Sequence, residues 1–267
     1  MRKIEHAVAV VSGGSSGIGM ATAQALRRAG CRVYEFSRRE SRQEGVCHVR
    51  YDVTDAAQVA GAVEFVLSRE GKIDVLVNNA GFGISGAAEF TASQDAHRLM
   101  EVNLFGMVNL TTAVLPHMRR AGRGRIVNVS SVAAVLPIPF QAWYSVSKAS
   151  INAYTMALAN EVRPYGVGVC AVMPGDICTG FTAARQKSCA GDEEYGGRIA
   201  RSVSRMERDE ENGMAPEAAG RFIARTALRR SAKPLRAIGF SYKCFCLINK
   251  LLPARLINFL LGVLYGG

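Results

Sequence analysis

The chain has 267 residues, a mass of 28.7 kDa and an apolar fraction of 49%. That fraction excludes a disordered chain, and the ordinary counts of glycine (27) and proline (8) exclude a collagen-like or low-complexity chain. The net charge is +11, but the 12 basic residues between Arg185 and Arg236 are interleaved with 8 acidic residues. We therefore expect no nucleic-acid partner, although such a charge suits an anionic small molecule or a membrane surface.

The cysteines and histidines do not indicate a metal site. The seven cysteines contain no CxxC pair, and the four histidines lie 20 or more residues apart, whereas zinc sites use closely spaced ligands. We expect reduced cysteines and no bound metal. The sequence also lacks an uncharged apolar run of about 18 residues and an N-terminal signal-peptide core, which favours a soluble, cytoplasmic protein without a transmembrane segment.

Short apolar runs alternate with segments of helical periodicity along the first two thirds of the chain. This alternation predicts βαβ units, and hence an α/β fold with a doubly wound parallel sheet of the Rossmann type and helices on both faces. Strands are predicted over 7–11, 31–36, 46–51, 73–77, 125–129 and 167–173, and helices over 18–29, 55–69, 93–120 and 144–164. We see no linker and expect one domain over residues 1–267.

The C-terminal third has a different character. Residues 182–236 are charged and show no strand pattern, so we predict a mobile helical lid over a site. Residues 237–267 form an apolar extension, within which the segment 244–267 (CFCLINKLLPARLINFLLGVLYGG) is the most apolar. This segment either packs on the core or on a partner subunit, or it forms an apolar wall or a peripheral membrane contact for a lipid-like substrate.

A glycine cluster follows the first predicted strand, in the sequence SGGSSGIG at 12–19. Glycines at a strand-to-helix turn let the backbone turn sharply and approach a pyrophosphate, which the amides of the helix N-terminus then bind. The spacing of Gly13, Gly17 and Gly19 is not the generic GxGxxG, but its position in a βαβ unit favours a dinucleotide site.

The residues at the end of the second strand indicate which dinucleotide, NAD(H) or NADP(H), binds to the site. An acidic residue there would bind a ribose 2′-hydroxyl, whereas arginine accommodates a 2′-phosphate. This chain has Ser37-Arg38-Arg39, with Glu40 only beyond them. Since a guanidinium matches a phosphate in geometry and charge, we predict NADP(H) as the cofactor.

Tyr144 and Lys148 are spaced i and i+4, on one face of a predicted helix. An ammonium beside a phenol favours the phenolate, so Lys148 is expected to lower the pKa of Tyr144 and make it a general acid or base.

Seven motifs in order resemble the short-chain dehydrogenase/reductase family, and they span about residues 6–180. They are SGGSSGIG at 12–19, DVTD at 52–55, NNAG at 78–81, EVNLFG at 101–106, GRIVNVSS at 124–131, YSVSK at 144–148 and PGDICT at 174–179. Ser12 stands where the family usually has threonine, and the hydroxyl is retained. The resemblance implies an alcohol/ketone oxidoreductase that forms a homodimer or homotetramer, through helices around 95–120 and 144–164.

The resemblance also assigns roles. Tyr144 would exchange the proton, Lys148 would assist it and bind the nicotinamide ribose, Ser131 would hold the substrate carbonyl, and Asn103 would hold a water of the proton relay. The cofactor would contact Gly13, Ser15, Ser16, Gly17, Ile18, Gly19, Ser37, Arg38, Arg39, Asp52, Val53, Asn79, Ala80, Gly81, Tyr144, Lys148, Pro174, Gly175, Ile177 and Thr179.

The expected substrate site is mostly apolar, as ligand pockets usually are. It comprises Ser131, Ala133, Val135, Leu136, Phe140, Trp143, Tyr144, Met173 and Phe181. With the C-terminal pattern LLPARLINFLLGVLYG, this set resembles the 17β-hydroxysteroid- and retinol-dehydrogenase-like branch, which implies a steroid or lipid-like ketone. The alternatives are a 3-oxoacyl-thioester reductase and a non-catalytic NADP-sensing protein.

Overall fold

A parallel β-sheet forms the centre of the structure, a computed structural model that describes residues 6–229, 231 and 233–266. The strands are β1 (Val8–Ser12), β2 (Arg32–Ser37), β3 (Val46–Arg50), β4 (Val75–Asn78), β5 (Ile84–Ser85), β6 (Gly124–Val129), β7 (Val167–Met173), β8 (Gln186–Lys187) and β9 (Leu235–Ala237). Seven of them form the main sheet in the order β3-β2-β1-β4-β6-β7-β9, and β5 pairs with β8 separately.

Ten α-helices accompany the strands in the part of the chain that the structure describes. They are α1 (Gly17–Arg28), α2 (Ala56–Glu70), α3 (Ser93–Met100), α4 (Gly106–Arg120), α5 (Ala142–Val162), α6 (Phe181–Ala184), α7 (Arg198–Glu211), α8 (Pro216–Ala227), α9 (Phe240–Leu251) and α10 (Ala254–Tyr265). The turn Glu101–Phe105, which joins α3 to α4, is π-helical. These bounds lie close to the predicted ones, and the predicted fold class is confirmed.

Strand β1 shows why the sheet is covered on both faces. All five of its residues are buried, and successive side chains point to opposite faces. Val8 and Val10 pack in one apolar cluster with Leu110 of α4. Ala9 belongs to a second apolar cluster on the other face of the sheet, which also contains Ile223 of α8. A strand without a polar face is typical of a parallel sheet between two helical layers.

The order of the strands places the site. The chain runs outward from β1 to β3, then crosses back to β4 on the other side of β1. Ligands of open α/β sheets bind at such a switch point, outside the carboxyl ends of the strands. The loops that follow β1 and β4, at residues 13–16 and 79–83, meet there.

The structure corrects the prediction for residues 182–236, which are not all a lid. Leu235–Ala237 forms β9, a seventh strand that pairs with β7. Helix α8 packs against α1 and belongs to the core, where Ile223 is fully buried. The prediction of helices holds for α8, but its place in the core was missed. Strand β9 was missed because three residues are too few positions to show alternation.

The long helical stretch Ser93–Arg120 is apolar and long enough to cross a membrane by length and composition alone. Its carboxyl half instead packs on the sheet, where Leu110, Val114 and Met118 are buried in the core. We therefore interpret it as a core helix.

The involvement of α8 in the core is testable by unfolding. Ile223→Ala removes a fully buried side chain, so we expect the free energy of unfolding in urea to fall by about 2–5 kcal/mol in one cooperative transition. Leu251→Ala is the matched control, because Leu251 is 73% exposed; its effect should stay within about 0.5 kcal/mol. A separate transition for the C-terminal third would contradict the proposal that the chain folds as one domain.

Candidate active site

A cavity of about 1340 Å³ lies at the carboxyl ends of the sheet strands. One arm is lined by the loop after β1, the end of β2 and the loop after β4. The other arm is lined by apolar side chains that include Leu136, Phe181, Phe245 and Leu260. Since pockets for drug-sized ligands measure roughly 300–1,000 Å³, this cavity has room for a dinucleotide together with an apolar substrate.

The glycine-rich loop forms a cradle at the polar arm. Gly13 has φ +63°, and a Cβ there would lie 2.9 Å from the Cα of Ala80. A Cβ on Gly19 would lie 2.1 Å from the carbonyl oxygen of Gly13. The loop therefore packs too closely for any side chain at either position, which is the physical reason for both glycines.

Helix α1 begins directly behind this loop. Ser16 is its N-cap residue but makes no side-chain capping hydrogen bond within the described chain, and the first turn carries no acidic residue. The first backbone amides of α1 are thus left for a ligand, and Ser15, Ser16 and Gly17 line the cavity beside them. An uncapped N-terminus that faces a cavity is an anion site, so the arm fits the pyrophosphate of a dinucleotide.

The hydroxyl of Ser12 joins the two loops that frame this arm. Its Oγ accepts hydrogen bonds from the amides of Asn79 (2.9 Å) and Ala80 (3.1 Å). The side-chain amide of Asn79 donates in return to the carbonyl oxygens of Ser12 and Gly13. These bonds fix the loops after β1 and β4 relative to each other.

The end of β2 carries both arginines that the sequence predicts to meet a phosphate. Arg38 and Arg39 line the cavity with Ser37 and Asp52. The Arg38 side chain is 70% exposed, and its Nη1 is 3.9 Å from the Asp52 carboxylate. This long, exposed contact contributes little and leaves the guanidinium available to a ligand.

The acidic residue of β2 does not reach this edge. Glu35 is buried beneath Gly14 and pairs with His48 of β3. Its carboxylate is therefore engaged below the loop and is not available to a ribose hydroxyl in the cavity. Sequence reasoning did not consider this residue.

Ser131, Tyr144 and Lys148 line the cavity between the two arms. The Lys148 Nζ lies beside Gly81 of the loop after β4, and the centre of the Tyr144 ring lies 5.9 Å from that of Phe181. Ser131 follows β6, and its Oγ accepts a hydrogen bond from the amide of Ala133 (3.1 Å). Tyr144 lies on α5 and hydrogen-bonds with Ser131. Lys148, one turn further along α5, is buried, with its Nζ 5.6 Å from the centre of the Tyr144 ring.

The ionisation of this group differs from the prediction. Burial raises the pKa of Tyr144 to about 12, and the Glu210 and Asp176 carboxylates add to this rise. Burial also lowers the pKa of Lys148 to about 8. The Lys148 ammonium donates to the carbonyl oxygen of Val129 (3.1 Å), and Lys148 is not among the groups that shift the pKa of Tyr144. In the protein alone, the pKa of Tyr144 is raised, not lowered.

Asn103 lies behind Lys148, on the π-helical turn. Its Nδ2 donates to the carbonyl oxygen of Phe82 (3.0 Å) and to Ser147 Oγ (3.1 Å), and its Oδ1 accepts from the amide of Phe82 (2.9 Å). The side chain thus ties the loop after β4 to α5. Its predicted role in holding a water stays a prediction. The sequence pattern did not reveal the π turn, although such turns are frequent at functional sites.

Comparison with known proteins agrees with this geometry. Residues 7–190 match the family model described as short chain dehydrogenase. A 3-ketodihydrosphingosine reductase of Bacteroides thetaiotaomicron is 39% identical over 262 residues, which cover 97% of each chain. The structure of a short-chain dehydrogenase from Streptomyces avermitilis superposes with a TM-score of 0.84 at 30% identity, over 94% of each chain. A 3-ketoacyl-(acyl-carrier-protein) reductase from Brucella melitensis, complexed with NADH, gives a TM-score of 0.75 at 26% identity, over 88% of this chain and 97% of that one.

The chain belongs to the short-chain dehydrogenase family. It is an oxidoreductase that acts on CH–OH or C=O groups. The family resemblance predicted from the motifs is confirmed, and the relatives also support the retinol- and steroid-dehydrogenase-like branch.

In this short-chain dehydrogenase, most of the predicted cofactor residues line the cavity. The exception is Gly19, which packs beneath Gly13. Of the predicted substrate residues, Ser131, Ala133, Leu136, Tyr144 and Phe181 line it too, and four others do not. Of those four, Val135 and Met173 belong to a small apolar cluster, Phe140 packs on Tyr195, and Trp143 is partly exposed.

The structure adds polar residues that sequence reasoning missed. Glu210 of α7 lines the cavity and accepts hydrogen bonds from Thr182 and Arg185. Asp176 also lines it, and its carboxylate accepts a hydrogen bond from the hydroxyl of Tyr242 on α9. No motif links these positions, since tertiary packing alone brings them together.

The buried ammonium of Lys148 predicts a pH dependence of stability. Its pKa is about 8 in the folded protein against an ordinary value of 10.5, so the unfolded chain binds more protons between these values and the contribution of Lys148 to stability rises with pH. Relative to Lys148→Met, the free energy of unfolding of the wild type should increase by on the order of 3 kcal/mol from about pH 7 to about pH 11. Urea unfolding at both pH values measures this. Parallel changes in the two proteins would contradict it.

Proposed function

We propose that this short-chain dehydrogenase reduces a long-chain, lipid-like ketone to a secondary alcohol with NADPH. One observation carries the proposal: Ser131, Tyr144 and Lys148 lie at the junction between a polar arm built for a dinucleotide and an apolar arm walled by the C-terminal helices.

The polar arm fits a nicotinamide dinucleotide. The free amides of α1 would bind its pyrophosphate, Asp52 and Val53 would flank the adenine, and Pro174, Gly175 and Thr179 lie on the side of Tyr144 and Lys148, where the nicotinamide would bind. When bound, the reduced cofactor supplies the hydride.

Arg38 and Arg39 support NADP(H) over NAD(H). Both line the arm, and the Arg38 guanidinium is mostly exposed. The nearby acid Glu35 is buried and paired with His48, so it cannot act as the ribose ligand of an NAD site.

In the proposed reduction, Tyr144 would be the proton donor. With its pKa raised to about 12, Tyr144 stays protonated at neutral pH and can donate its proton to the oxygen of the substrate as charge develops there. Ser131 Oγ lies beside it to hydrogen-bond the same oxygen. Lys148, with a pKa of about 8, carries positive charge at neutral pH next to the phenol.

The apolar arm supports a lipid-like substrate. Its walls include Phe245 and Ile248 of α9 and Leu260, Leu261 and Leu264 of α10. The relative from Bacteroides thetaiotaomicron, which matches over 97% of both chains, is named for the ketone of a long-chain base. Both observations favour a substrate whose ketone carries a long alkyl chain over the steroid ketone that the C-terminal sequence pattern also implied.

The substrate class can be tested with NADPH and a panel of ketones. We expect consumption of NADPH with a 3-keto long-chain base, and less with a steroid ketone, retinal or a short 3-oxoacyl thioester. Tyr144→Phe should lower kcat by at least about 100-fold, because the proton donor is lost. Tyr154→Phe is the matched control, since Tyr154 lies on the same helix but packs against the core.

Each other result has a defined meaning. Turnover of the acyl thioester alone would identify a 3-oxoacyl-thioester reductase. Binding of NADPH without turnover of any ketone would favour the non-catalytic alternative. Full activity of Tyr144→Phe would remove Tyr144 from the mechanism.

The cofactor preference can be tested separately. Arg38→Asp replaces a phosphate ligand by an anion, so we expect the KM for NADPH to rise at least about tenfold and the KM for NADH to stay the same or fall. Arg42→Asp is the matched control, because Arg42 is exposed and does not line the cavity. An unchanged preference for NADPH in Arg38→Asp would contradict the assignment.

A further inference from the structure

The C-terminal helix pair, α9 and α10 (Phe240–Tyr265), carries a large exposed apolar surface. Phe240 is 83% exposed and Leu251 is 73% exposed, and Leu247, Phe259 and Val263 are each more than half exposed. Scattered apolar residues are normal on a protein surface, but a contiguous patch of this kind indicates an interaction site.

The charge around this surface is of one sign. Glu217 is the last acidic residue of the chain, and nine lysines and arginines follow it. Three of them, Lys243, Lys250 and Arg255, lie on or next to the helix pair and are exposed. Apolar helices flanked by basic residues bind the surface of anionic bilayers, with their apolar face in the interfacial region.

We propose that the helix pair docks on an anionic lipid bilayer. A second copy of the chain fits this surface less well, because a symmetric contact would bring the same lysines and arginines together without any acidic residue of the helix pair to neutralise them. The oligomer expected from the family uses other elements: α4 and α5. On α5, Val146 and Met156 are exposed, so assembly there leaves the helix pair free.

The helix pair is held in a defined orientation. The Tyr242 hydroxyl hydrogen-bonds Asp176 in the loop after β7, and the Tyr265 hydroxyl donates to Asp209 of α7 (2.9 Å). The guanidinium of Arg198 also donates to the carbonyl oxygen of Gly266. These bonds anchor the inner side of the pair to the body of the protein, and the apolar residues on its outer side stay exposed.

The same helices form the wall of the cavity. Phe245, Ile248 and Leu260 line its apolar arm and are also more than two fifths exposed. Docking would therefore set the apolar arm against the acyl chains of the bilayer. If the proposed function holds, a lipid ketone could enter the cavity without crossing water.

Sedimentation with vesicles tests the docking independently of any activity. We expect the full chain to bind vesicles of phosphatidylcholine mixed with phosphatidylglycerol, to bind vesicles of phosphatidylcholine alone more weakly, and to lose affinity as salt is added. Absence of binding to the mixed vesicles would overturn the proposal.

Two variants separate the apolar from the basic contribution. Leu251→Asp with Phe259→Asp should abolish binding, and both positions are exposed enough for the fold to tolerate the change. Lys250→Gln with Arg255→Gln should weaken binding to the mixed vesicles about 30-fold, at roughly fivefold for each charge, and should leave binding to phosphatidylcholine alone unchanged.

The matched control is Arg28→Gln with Arg163→Gln, which makes the same change in net charge, from +11 to +9, at exposed positions on other elements. If this control weakens binding as much as the Lys250 and Arg255 variant, the surface has been assigned to the wrong place. Circular dichroism and Tm confirm that each variant is folded.

Sedimentation velocity distinguishes a bilayer from a second copy. We expect the oligomeric state to be the same in the wild type and in the variant that carries Leu251→Asp and Phe259→Asp. Dissociation of that variant into smaller species, together with no vesicle binding by the wild type, would show that the helix pair is a subunit interface instead.

Discussion

The contact between the loops after β1 and β4 is the constraint on which the site depends. The Ser12 hydroxyl accepts hydrogen bonds from two backbone amides of a loop that lies 67 residues further along the chain. The Asn79 side chain of that loop donates two hydrogen bonds to the loop after β1. Because Gly13 and Gly19 leave no room for side chains, the loop after β1 lies against its neighbour and the first amides of α1 face the cavity. The polar arm exists only while this packing holds.

Burial governs the chemistry at the junction of the arms. The same loss of water raises the pKa of the phenol and lowers that of the ammonium, so both groups shift toward their neutral forms. Sequence reasoning considered the positive charges near Tyr144 but not its burial, and therefore expected the opposite direction for its pKa. The distance and direction of the ammonium, which donates to Val129, follow from the fold and not from the i, i+4 spacing.

Features encoded within one short segment were predictable from the sequence. The glycine turn, the arginines after β2 and the Tyr144–Lys148 pair each lie within a few residues, and each contributes residues to the lining of the cavity. Features that need distant partners were missed: β9 pairs with β7, Glu35 pairs with His48, and Glu210 meets Arg185 only after α7 has packed. The π turn at Asn103 was missed because its residues have ordinary helical periodicity.

The division of the cavity between two parts of the chain bears on how such a protein can diverge. Residues 12–180 supply most of the polar arm and the reacting side chains, whereas α9 and α10 build much of the apolar wall. Substitutions in the terminal helices can therefore lengthen, shorten or reshape the space for an alkyl chain while the hydride-transfer geometry stays untouched. Selectivity for chain length and catalytic competence are thus free to evolve at separate rates.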